Sequence, residues 1–340
     1  MNTDMINAAA LCEEMCDLSF LKNATVLITG ATGLIGGSMA SALLLLDDRR
    51  SLGLKLILPL RNPDRLKPDL KSDPRVKAFT ADLTQKLSLR ESIDYILHAA
   101  SPTASRELRE NSRSCEEFMT RSAAAMAELA REKQVKKHLY LSSMEVYGGL
   151  TGPVTEEMQG VFNHADPRSC YPISKLYGES LSVRLAQEGV PAVNVRLAQT
   201  FGEGISENEN RVFAQFAASA LSGRDIVLRT QGRSIGNYLH ISDCVSALIL
   251  LMEKGKSGET YNAAGDNCRM TIRELAQLTS DLLSGGSVRT IVDPAPAGSY
   301  PPDSAYIIDN SKLKRLGWAP KYDVSDMILS LGRDLKGERA

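Results

Sequence analysis

A tyrosine and a lysine one helical turn apart are the residues of this chain best suited to chemistry. Tyr171 and Lys175 lie in the segment Cys-Tyr-Pro-Ile-Ser-Lys, residues 170–175. Side chains four positions apart on a helix share one face. We therefore expect the Lys175 ammonium to lie near the Tyr171 hydroxyl and to lower its pKa, which is ordinarily about 10. Such a tyrosine can exchange a proton with a substrate hydroxyl.

A glycine-rich turn near the N-terminus predicts a nucleotide site. Its three glycines follow an apolar segment, 24–29, and open a helical pattern, 34–46. Glycines let the backbone approach a pyrophosphate, and a helix N-terminus offers unpaired N–H groups. A plain strand-to-helix turn is the alternative, but the strand before it and the helix after it favour a dinucleotide. The predicted contacts are Gly30, Thr32, Gly33, Leu34, Ile35 and Gly36.

Arg61 bears on which dinucleotide binds. It follows the second predicted strand, 54–60, where an acidic residue would bind the ribose of NAD and an arginine would accommodate the 2′-phosphate of NADP. An exposed arginine is also common in such loops and can stack on adenine. NAD and NADP therefore both remain open.

The ends of the next two predicted strands could also line the cofactor. Asp82 and Leu83 follow the strand at 76–80 and could contact adenine, although Asp82 could equally cap a turn. The strand at 95–99 ends in the segment His98, Ala99 and Ala100, whose small alanines would let a cofactor lie close. A buried core histidine is the other interpretation of His98.

Apolar strands alternating with helices predict the fold. This pattern is typical of a doubly wound parallel sheet of the Rossmann-like α/β class. We expect an N-terminal helical extension at 1–22 and an NAD(P)-binding domain with the catalytic residues at 23–200. Residues 201–340 should mainly form a smaller α/β substrate-binding lobe, with some segments returning to the first domain. The six predicted strands are 24–29, 54–60, 76–80, 95–99, 138–142 and 192–197.

Composition narrows the class of protein. With 43% hydrophobic and 24% charged residues, the chain is expected to be folded and soluble. A formal charge of −1 offers no general attraction for nucleic acid or membrane. The six cysteines include no CxxC pair, which favours reduced thiols and a cytoplasmic location. No apolar run approaches the ~20 residues that span a bilayer, and we expect no metal site.

Five motifs occur in the order seen in the extended short-chain dehydrogenase/reductases. They are the glycine turn, His-Ala-Ala at 98–100, Ser-Ser-Met-Glu-Val-Tyr-Gly at 142–148, Tyr-Pro-Ile-Ser-Lys at 171–175, and Arg-Leu-Ala-Gln-Thr-Phe-Gly at 196–202. The chain resembles their NAD-dependent epimerase/dehydratase branch, which acts on nucleotide sugars. The segment 311–320 resembles the closing segment of that family. The resemblance implies a nucleotide-sugar substrate and a homodimer formed through the helices around 112–133 and 174–187.

The resemblance also implies a catalytic triad of Ser143, Tyr171 and Lys175. Ser143 would hydrogen-bond the sugar hydroxyl or keto oxygen, while Tyr171 exchanges its proton and the nicotinamide exchanges a hydride with the same carbon. Lys175 would also hold the nicotinamide ribose.

Two residues after Ser143 bear on the second step of the reaction. Glu145 matches the glutamate of the family's dehydratases and glucuronate decarboxylases, and it could remove a C5 proton or position a carboxylate for loss. A solvated loop residue is the alternative for Glu145. Met144 stands where similar 4,6-dehydratases have an aspartic acid, and a thioether cannot donate a proton to a departing hydroxyl.

The substrate lobe departs from the family pattern at Gly236, which replaces an arginine that grips the substrate pyrophosphate. Arg211 or Arg233 could compensate, although each could be an ordinary surface arginine. Gln199 replaces an asparagine that contacts the substrate, with similar amide chemistry and a longer reach.

The leading hypothesis is an enzyme of dehydratase or decarboxylase type, with transient C4 oxidation by tightly bound NAD(P) and Glu145 serving the second step. A nucleotide-sugar 4-epimerase or an NAD(P)H-dependent 4-keto reductase is the alternative. A non-enzymatic NADP-sensing protein on the same fold is a third hypothesis, and such a protein would not need the triad.

Overall fold

A seven-stranded parallel sheet forms the centre of the protein. The computed structural model describes residues 2–206, 209–296 and 303–338, so the parts of the predicted 1–22 and 201–340 segments outside these ranges are not covered. Its strands are β1 (Thr25–Thr29), β2 (Lys55–Leu60), β3 (Val76–Thr80), β4 (Tyr95–His98), β5 (Lys137–Ser143), β7 (Ala192–Leu197) and β11 (Thr260–Ala263). They lie in the sheet in the order β3-β2-β1-β4-β5-β7-β11. The predicted doubly wound α/β fold is confirmed.

Helices cover both faces of this sheet. Strands β1, β4, β5 and β7 are buried along their whole lengths, as a parallel sheet between two helical layers requires. One layer contains α1 (Thr3–Met15), α2 (Leu34–Arg50) and α8 (Ile241–Lys254), and short α3 (Pro68–Ser72) precedes β3. The other layer contains α5 (Ser112–Lys133) and α6 (Cys170–Gln187), preceded by short α4 (Ser105–Glu110).

The chain order reverses between β1 and β4. From β1 it proceeds to β2 and β3 on one side, and it returns to β4 on the other side of β1. Ligands of open α/β sheets bind at such a switch point, in the crevice beyond the carboxyl ends of the strands. The predicted glycine turn follows β1, and residues 98–100 close β4, so both lie at this crevice.

Among the described residues, a smaller lobe is built from short strands and three helices. Its pairings are β8 (Gln199–Phe201) and β12 (Arg269–Thr271) with β10 (Ile235–His240), β9 (Ile226–Leu228) with β13 (Thr290–Val292), and β6 (Thr151–Val154) with β14 (Ala305–Ile308). Helices α7 (Val212–Leu221), α9 (Ile272–Ser284) and α11 (Val324–Leu335) pack around a core that includes a Phe201–Phe213 stack. Short α10 (Ser311–Lys314) precedes α11.

Two segments of the C-terminal part of the chain belong to the large domain. Helix α8 packs on the large sheet, and β11 extends it by pairing with β7. Conversely, β6 lies before residue 200 but pairs with β14. Within the described ranges, no helix is long and apolar enough to cross a membrane.

Candidate active site

The glycine turn is shaped for close backbone approach. Gly30 has φ +73°, and a Cβ added to it would lie 2.9 Å from the Cα of Ala100. A Cβ on Gly36 would lie 2.5 Å from the Gly30 carbonyl oxygen. Helix α2 begins after Gly33, which has no side chain to cap it. These features fit a dinucleotide, because its pyrophosphate needs a close backbone and free helical N–H groups.

The hydroxyl of Thr29 joins the two strand ends at the crevice. Its Oγ1 accepts hydrogen bonds from the backbone N–H groups of Ala99 and Ala100, both at 3.1 Å, and it lies 2.8 Å from Nδ1 of His98. The His98 ring is buried, and burial lowers its pKa well below the usual range, which keeps it neutral. The structure therefore places the His98 side chain in the core, where it helps to fix the turn that Ala99 and Ala100 form.

The other predicted cofactor residues occupy different environments. Arg61 is exposed directly after β2. The Asp82 carboxylate accepts hydrogen bonds from the backbone N–H and hydroxyl of Thr84 at 2.9 and 2.8 Å, and Leu83 is buried in the core. Of the two interpretations of Asp82, the structure provides the turn cap.

The predicted triad assembles where β5 ends and α6 begins. Ser143 is the last residue of β5, and Tyr171 and Lys175 lie in the first two turns of α6. The Ser143 side chain lies close enough to the Tyr171 hydroxyl to lower the pKa of Tyr171. The Ser143 oxygen also accepts the backbone N–H of Glu145 at 3.2 Å, which sets the turn that follows the strand.

The expected lowering of the Tyr171 pKa is wrong for this structure. Burial raises the pKa of Tyr171 to about 12, and the charge of Glu145 adds to this effect. The neighbouring Ser143 hydroxyl and the positive charges of Arg211 and Arg168 oppose this rise in the pKa without overcoming it. Desolvation disfavours a phenolate more than these nearby cations favour it.

Lys175 is bound to the backbone rather than to the tyrosine. Its Nζ donates a 2.8 Å hydrogen bond to the carbonyl oxygen of Leu141, and it lies 5.6 Å from the centroid of the Tyr171 ring. Burial lowers the pKa of Lys175 to about 8. A lysine with this pKa is charged at neutral pH and can donate hydrogen bonds to a neighbouring ribose.

Glu145 is half-buried and is held by an arginine. Both carboxylate oxygens accept hydrogen bonds from Arg168, at 2.5 and 2.8 Å, and the Arg168 Nε donates to the hydroxyl of Ser105 at 3.1 Å. A forked arginine–carboxylate pair fixes both orientation and charge. Glu145 is thus a fixed carboxylate beside Tyr171, and the interpretation as a solvated loop residue is not what the structure provides.

Met144 is half-buried and packs against the main hydrophobic core. The side chain that follows Ser143 is therefore apolar. An acid that could protonate a departing hydroxyl does not occupy this position.

The predicted substrate residues occupy different environments. Arg211 precedes α7, pairs with Glu209 at 2.6 Å and is close enough to Tyr171 to act on its pKa. Half-buried Gln199 begins β8, whereas Arg233 is exposed in the smaller lobe. A Cβ on Gly236 would lie 2.2 Å from the hydroxyl of Tyr238, so an arginine does not fit there unless that tyrosine moves. Arg211 is the candidate that the structure brings to the triad.

Arg168 was missed by sequence reasoning. The available signal was a lone arginine three residues before Tyr171, a position that a short helix places beside the loop after β5. An arginine in a polar loop carries no distinguishing pattern of its own, so only the fold connects it with Glu145.

Comparison with known proteins defines the family. The model of the NAD dependent epimerase/dehydratase family matches residues 26–264, and the chain belongs to this family. It is therefore an enzyme with a nicotinamide dinucleotide cofactor, as the sequence predicted.

Individual relatives agree with this assignment. UDP-glucuronic acid decarboxylase 6 of Arabidopsis thaliana is 27% identical over 328 residues, which are 93% of this chain and 90% of that protein. The solved structure of epimerase Mth375 from Methanothermobacter thermautotrophicus has a TM-score of 0.79 at 18% identity, covering 98% and 96% of the two chains. UDP-glucuronic acid 4-epimerase from Bacillus cereus, solved with UDP-glucuronic acid and NAD, has a TM-score of 0.77 at 21% identity, covering 92% and 99%.

Proposed function

We propose that the protein uses tightly bound NAD to oxidise C4 of a nucleotide uronate and then removes its carboxyl group from C5. The observation that carries this proposal is the Glu145 carboxylate, fixed by Arg168 beside the hydroxyl pair of Ser143 and Tyr171. The plant decarboxylase that matches most of this chain acts on UDP-glucuronic acid, and we propose the same class of substrate here.

The cofactor would be held by the crevice between β1 and β4. The backbone of Gly30, Gly33 and Gly36 and the start of α2 would bind the pyrophosphate, and Lys175 would bind the nicotinamide ribose. NAD, when bound, accepts a hydride from C4 and returns it at the end of the cycle. Asp82 caps a turn and Arg61 is exposed at the surface, so neither side chain indicates which dinucleotide binds. The choice of NAD over NADP therefore rests on the family to which the chain belongs.

The first step needs a proton acceptor at the C4 hydroxyl. Ser143 would hydrogen-bond this oxygen, and Tyr171 would take its proton as the C4 hydride leaves. With its pKa raised to about 12, the Tyr171 hydroxyl is protonated at neutral pH. Positive charge must therefore favour its phenolate during the reaction, and Lys175 and Arg211 supply such charge on this side of the pocket.

The second step uses the new C4 keto group. The electron pair of the C5–C6 bond moves toward the C4 oxygen as carbon dioxide departs, and C5 then takes up a proton. Return of the hydride to C4 gives a nucleotide pentose, so the overall reaction is redox-neutral. The fixed negative charge of Glu145 would orient the substrate carboxylate and favour its loss as carbon dioxide. Arg168 would keep the net charge of the pocket near zero, so that an anionic sugar can enter.

Decarboxylation is favoured over 4,6-dehydration by Met144. Loss of a 6-hydroxyl group needs a proton donor, and the thioether of Met144 cannot provide one. Dehydration would instead require Glu145 to take the C5 proton and another group to protonate the departing oxygen. The epimerase and 4-keto reductase reactions include no second step at C5 or C6, so a carboxylate fixed beside the triad favours decarboxylation over both.

Mass spectrometry of reaction products tests this proposal directly. Purified protein would be incubated with UDP-, dTDP-, GDP- and CDP-linked glucose and glucuronate, and the bound cofactor would be identified after denaturation. A product lighter by carbon dioxide from a uronate supports decarboxylation, and loss of water from a glucose substrate supports dehydration. Isomerisation leaves the mass unchanged and would be detected by chromatographic separation of the epimers, and it would support an epimerase instead. Steady consumption of added NADH would support a reductase.

Two variants assign the steps. Tyr171→Phe should abolish C4 oxidation while the protein still retains NAD. Glu145→Gln should leave C4 oxidation intact and trap a 4-keto uronate. Normal turnover by the glutamine variant would remove Glu145 from the mechanism, and unchanged turnover by the phenylalanine variant would remove Tyr171 from it.

A dimer through α5 and α6 is part of the proposal. Ile173 and Tyr177, one turn apart on α6, are 37% and 44% exposed, and α6 packs along α5. Exposed apolar groups at this spacing support a helix-to-helix contact with a second copy. Sedimentation of the wild type and of Tyr177→Glu tests it, with a loss of dimer expected in the variant.

A further inference from the structure

The N-terminal helix carries a buried carboxylate that serves no part of the proposed reaction. The inner face of α1 is otherwise apolar, with Met5, Ala8 and Cys12 packed against the main core, but Asp4 is only 1% exposed. A buried carboxylate is stable only if it is well hydrogen-bonded. Asp4 Oδ2 accepts the backbone N–H of Glu203 at 2.8 Å and the hydroxyl of Ser330 at 2.6 Å.

The contact between Asp4 and Glu203 is reciprocal. While Asp4 accepts the N–H of Glu203, the Glu203 carboxylate accepts the N–H of Thr3 at 2.9 Å. This exchange resembles a capping box, except that the two partners lie far apart in the sequence. The first turn of α1 and the loop formed by residues 202–204 therefore satisfy each other's free N–H groups.

Other groups around Asp4 strengthen this attachment. The Asp4 carbonyl oxygen accepts the hydroxyl of Ser242 at 2.8 Å, and His240 Nε2 lies 3.6 Å from Asp4 Oδ1. Burial lowers the pKa of His240 despite the adjacent carboxylate, so the ring in this contact is neutral. Gly202 makes room for the carboxylate, because a Cβ there would lie 2.7 Å from Asp4 Oδ2.

The 202–204 loop also lies against the cofactor turn. A Cβ added to Gly204 would stand 3.8 Å from Cδ1 of Leu34, the first residue of α2, and 3.7 Å from Nδ2 of Asn2. The Gly204 N–H donates to the Asp334 carboxylate of α11 at 2.7 Å. The start of α1, the 202–204 loop and the start of α2 thus meet at one point beside the predicted pyrophosphate site.

We propose that α1 is a latch that holds the 202–204 loop against the start of α2 and thereby slows release of the dinucleotide, with Asp4 as the positioning residue. The match to the family model begins at residue 26, so α1 lies outside the part of the chain that defines the family. The inference rests on the proposed function, in which the cofactor must remain bound through a redox-neutral cycle.

The dissociation rate of NADH from the intact protein tests the latch without any turnover. Protein loaded with NADH is mixed with excess NAD+, and the loss of bound NADH fluorescence is followed. Asp4→Ala loses the hydrogen bonds from the Glu203 N–H and the Ser330 hydroxyl, and it should release NADH about tenfold faster or more. Asp4→Asn retains an oxygen that can accept the Glu203 N–H, so its rate should stay within about threefold of the wild type.

Leu11→Ala is the matched control. Leu11 is buried on the same helix, two turns from Asp4, so its truncation weakens the packing of α1 and leaves the Asp4 contacts in place. We expect a lower melting temperature with an unchanged NADH release rate. Ser330→Ala, which removes a single donor to Asp4 from α11, provides a milder test should Asp4→Ala fail to fold, and it should accelerate release.

Three results would overturn the latch. The first is a wild-type release rate in Asp4→Ala, and the second is a wild-type release rate in Ser330→Ala if Asp4→Ala does not fold. The third is a release rate in Leu11→Ala as fast as that of Asp4→Ala, which would indicate general loosening of the protein. A wild-type protein that binds neither NAD+ nor NADH would instead refute the proposed function, and the latch with it. The two failures are therefore distinguishable.

Discussion

The guanidinium of Arg168 holds both oxygens of the Glu145 carboxylate, with N–O distances of 2.5 and 2.8 Å. Both side chains are partly buried, at 25% and 29% exposure. The pair places a fixed negative charge next to Tyr171 and compensates it at the same time. This relationship makes Arg168 a positioning residue for the second step of the proposed reaction.

Replacement of Arg168 should separate the two steps. In Arg168→Gln we expect C4 oxidation to persist while the second step slows by about 10- to 100-fold, since Glu145 loses its fixed orientation. Arg168→Lys should fall between the wild type and the glutamine variant, because lysine supplies charge without the fork. The measurement is the absorbance of NADH during a single turnover, and NADH should accumulate in the variants.

Arg113→Gln is the control for Arg168. Arg113 forms an exposed pair with Glu117 on α5, and we expect wild-type kinetics for this variant. If Arg168→Gln also turned over without accumulation of NADH, the assigned role of Arg168 would be wrong.

The pH dependence of turnover should reflect Lys175. Burial lowers its pKa to about 8, so its ammonium loses its charge as pH rises through that value. A base with a pKa of about 12 makes kcat/KM rise with pH. Because the Lys175 charge favours the Tyr171 phenolate, this rise should stop and give way to a decline above pH 8. Lys175→Arg should shift this decline to higher pH, whereas a wild-type rate that climbs steadily to pH 10 would argue against the assignment.

Alanine substitutions in the glycine turn should weaken cofactor binding by different amounts. In Gly36→Ala the new methyl group would lie 2.5 Å from the Gly30 carbonyl oxygen, and in Gly33→Ala the corresponding distance is 3.3 Å. The first variant must displace backbone, so we expect its affinity for NADH to fall about tenfold or more, and that of the second to fall less. Fluorescence titration measures both, and equal affinities would contradict the predicted cradle.

The buried ion pair of Arg196 and Glu179 should contribute strongly to the free energy of unfolding. Arg196 makes two hydrogen bonds to Glu179, at 2.9 and 2.8 Å, with side chains only 5% and 9% exposed. Glu179→Leu leaves a buried cation without its carboxylate and should lower the free energy of unfolding by about 3–5 kcal/mol.

Urea denaturation measures this loss, and the exposed Glu117 provides the comparison. Glu117→Leu breaks a surface pair and should change the free energy of unfolding by about 0.5 kcal/mol or less. Similar values for the two variants would show that the Glu179 pair contributes little.

The elements that could be predicted from the sequence are those with local signals. The apolar strands, the glycine turn and the spacing of Tyr171 and Lys175 all depend on short stretches of chain, and they led to the correct fold and family. The environment of His98 was left open because its hydrogen bond with Thr29 and its contact with Ser122 come from other elements.

Features that depend on several distant segments could not be predicted in the same way. The pKa of Tyr171 is set by burial, which spacing does not reveal. The Arg168–Glu145 pair joins the loop after β5 to the start of α6, and Asp4 meets Glu203 and Ser330 across almost the whole chain. A polar residue on the apolar face of α1 was the single local hint of the last contact.

In the proposed reaction, Tyr171 and bound NAD oxidise C4 before Glu145 and Arg168 serve the loss of carbon dioxide. Turnover of UDP-glucuronate labelled with deuterium at C4 tests this order of steps, with the product analysed by mass spectrometry. We expect a UDP-pentose that retains the deuterium at C4, because the hydride leaves and returns through the same cofactor. A UDP-pentose without deuterium at C4, or an unchanged carbon skeleton under conditions in which NAD is bound, would contradict the proposed reaction.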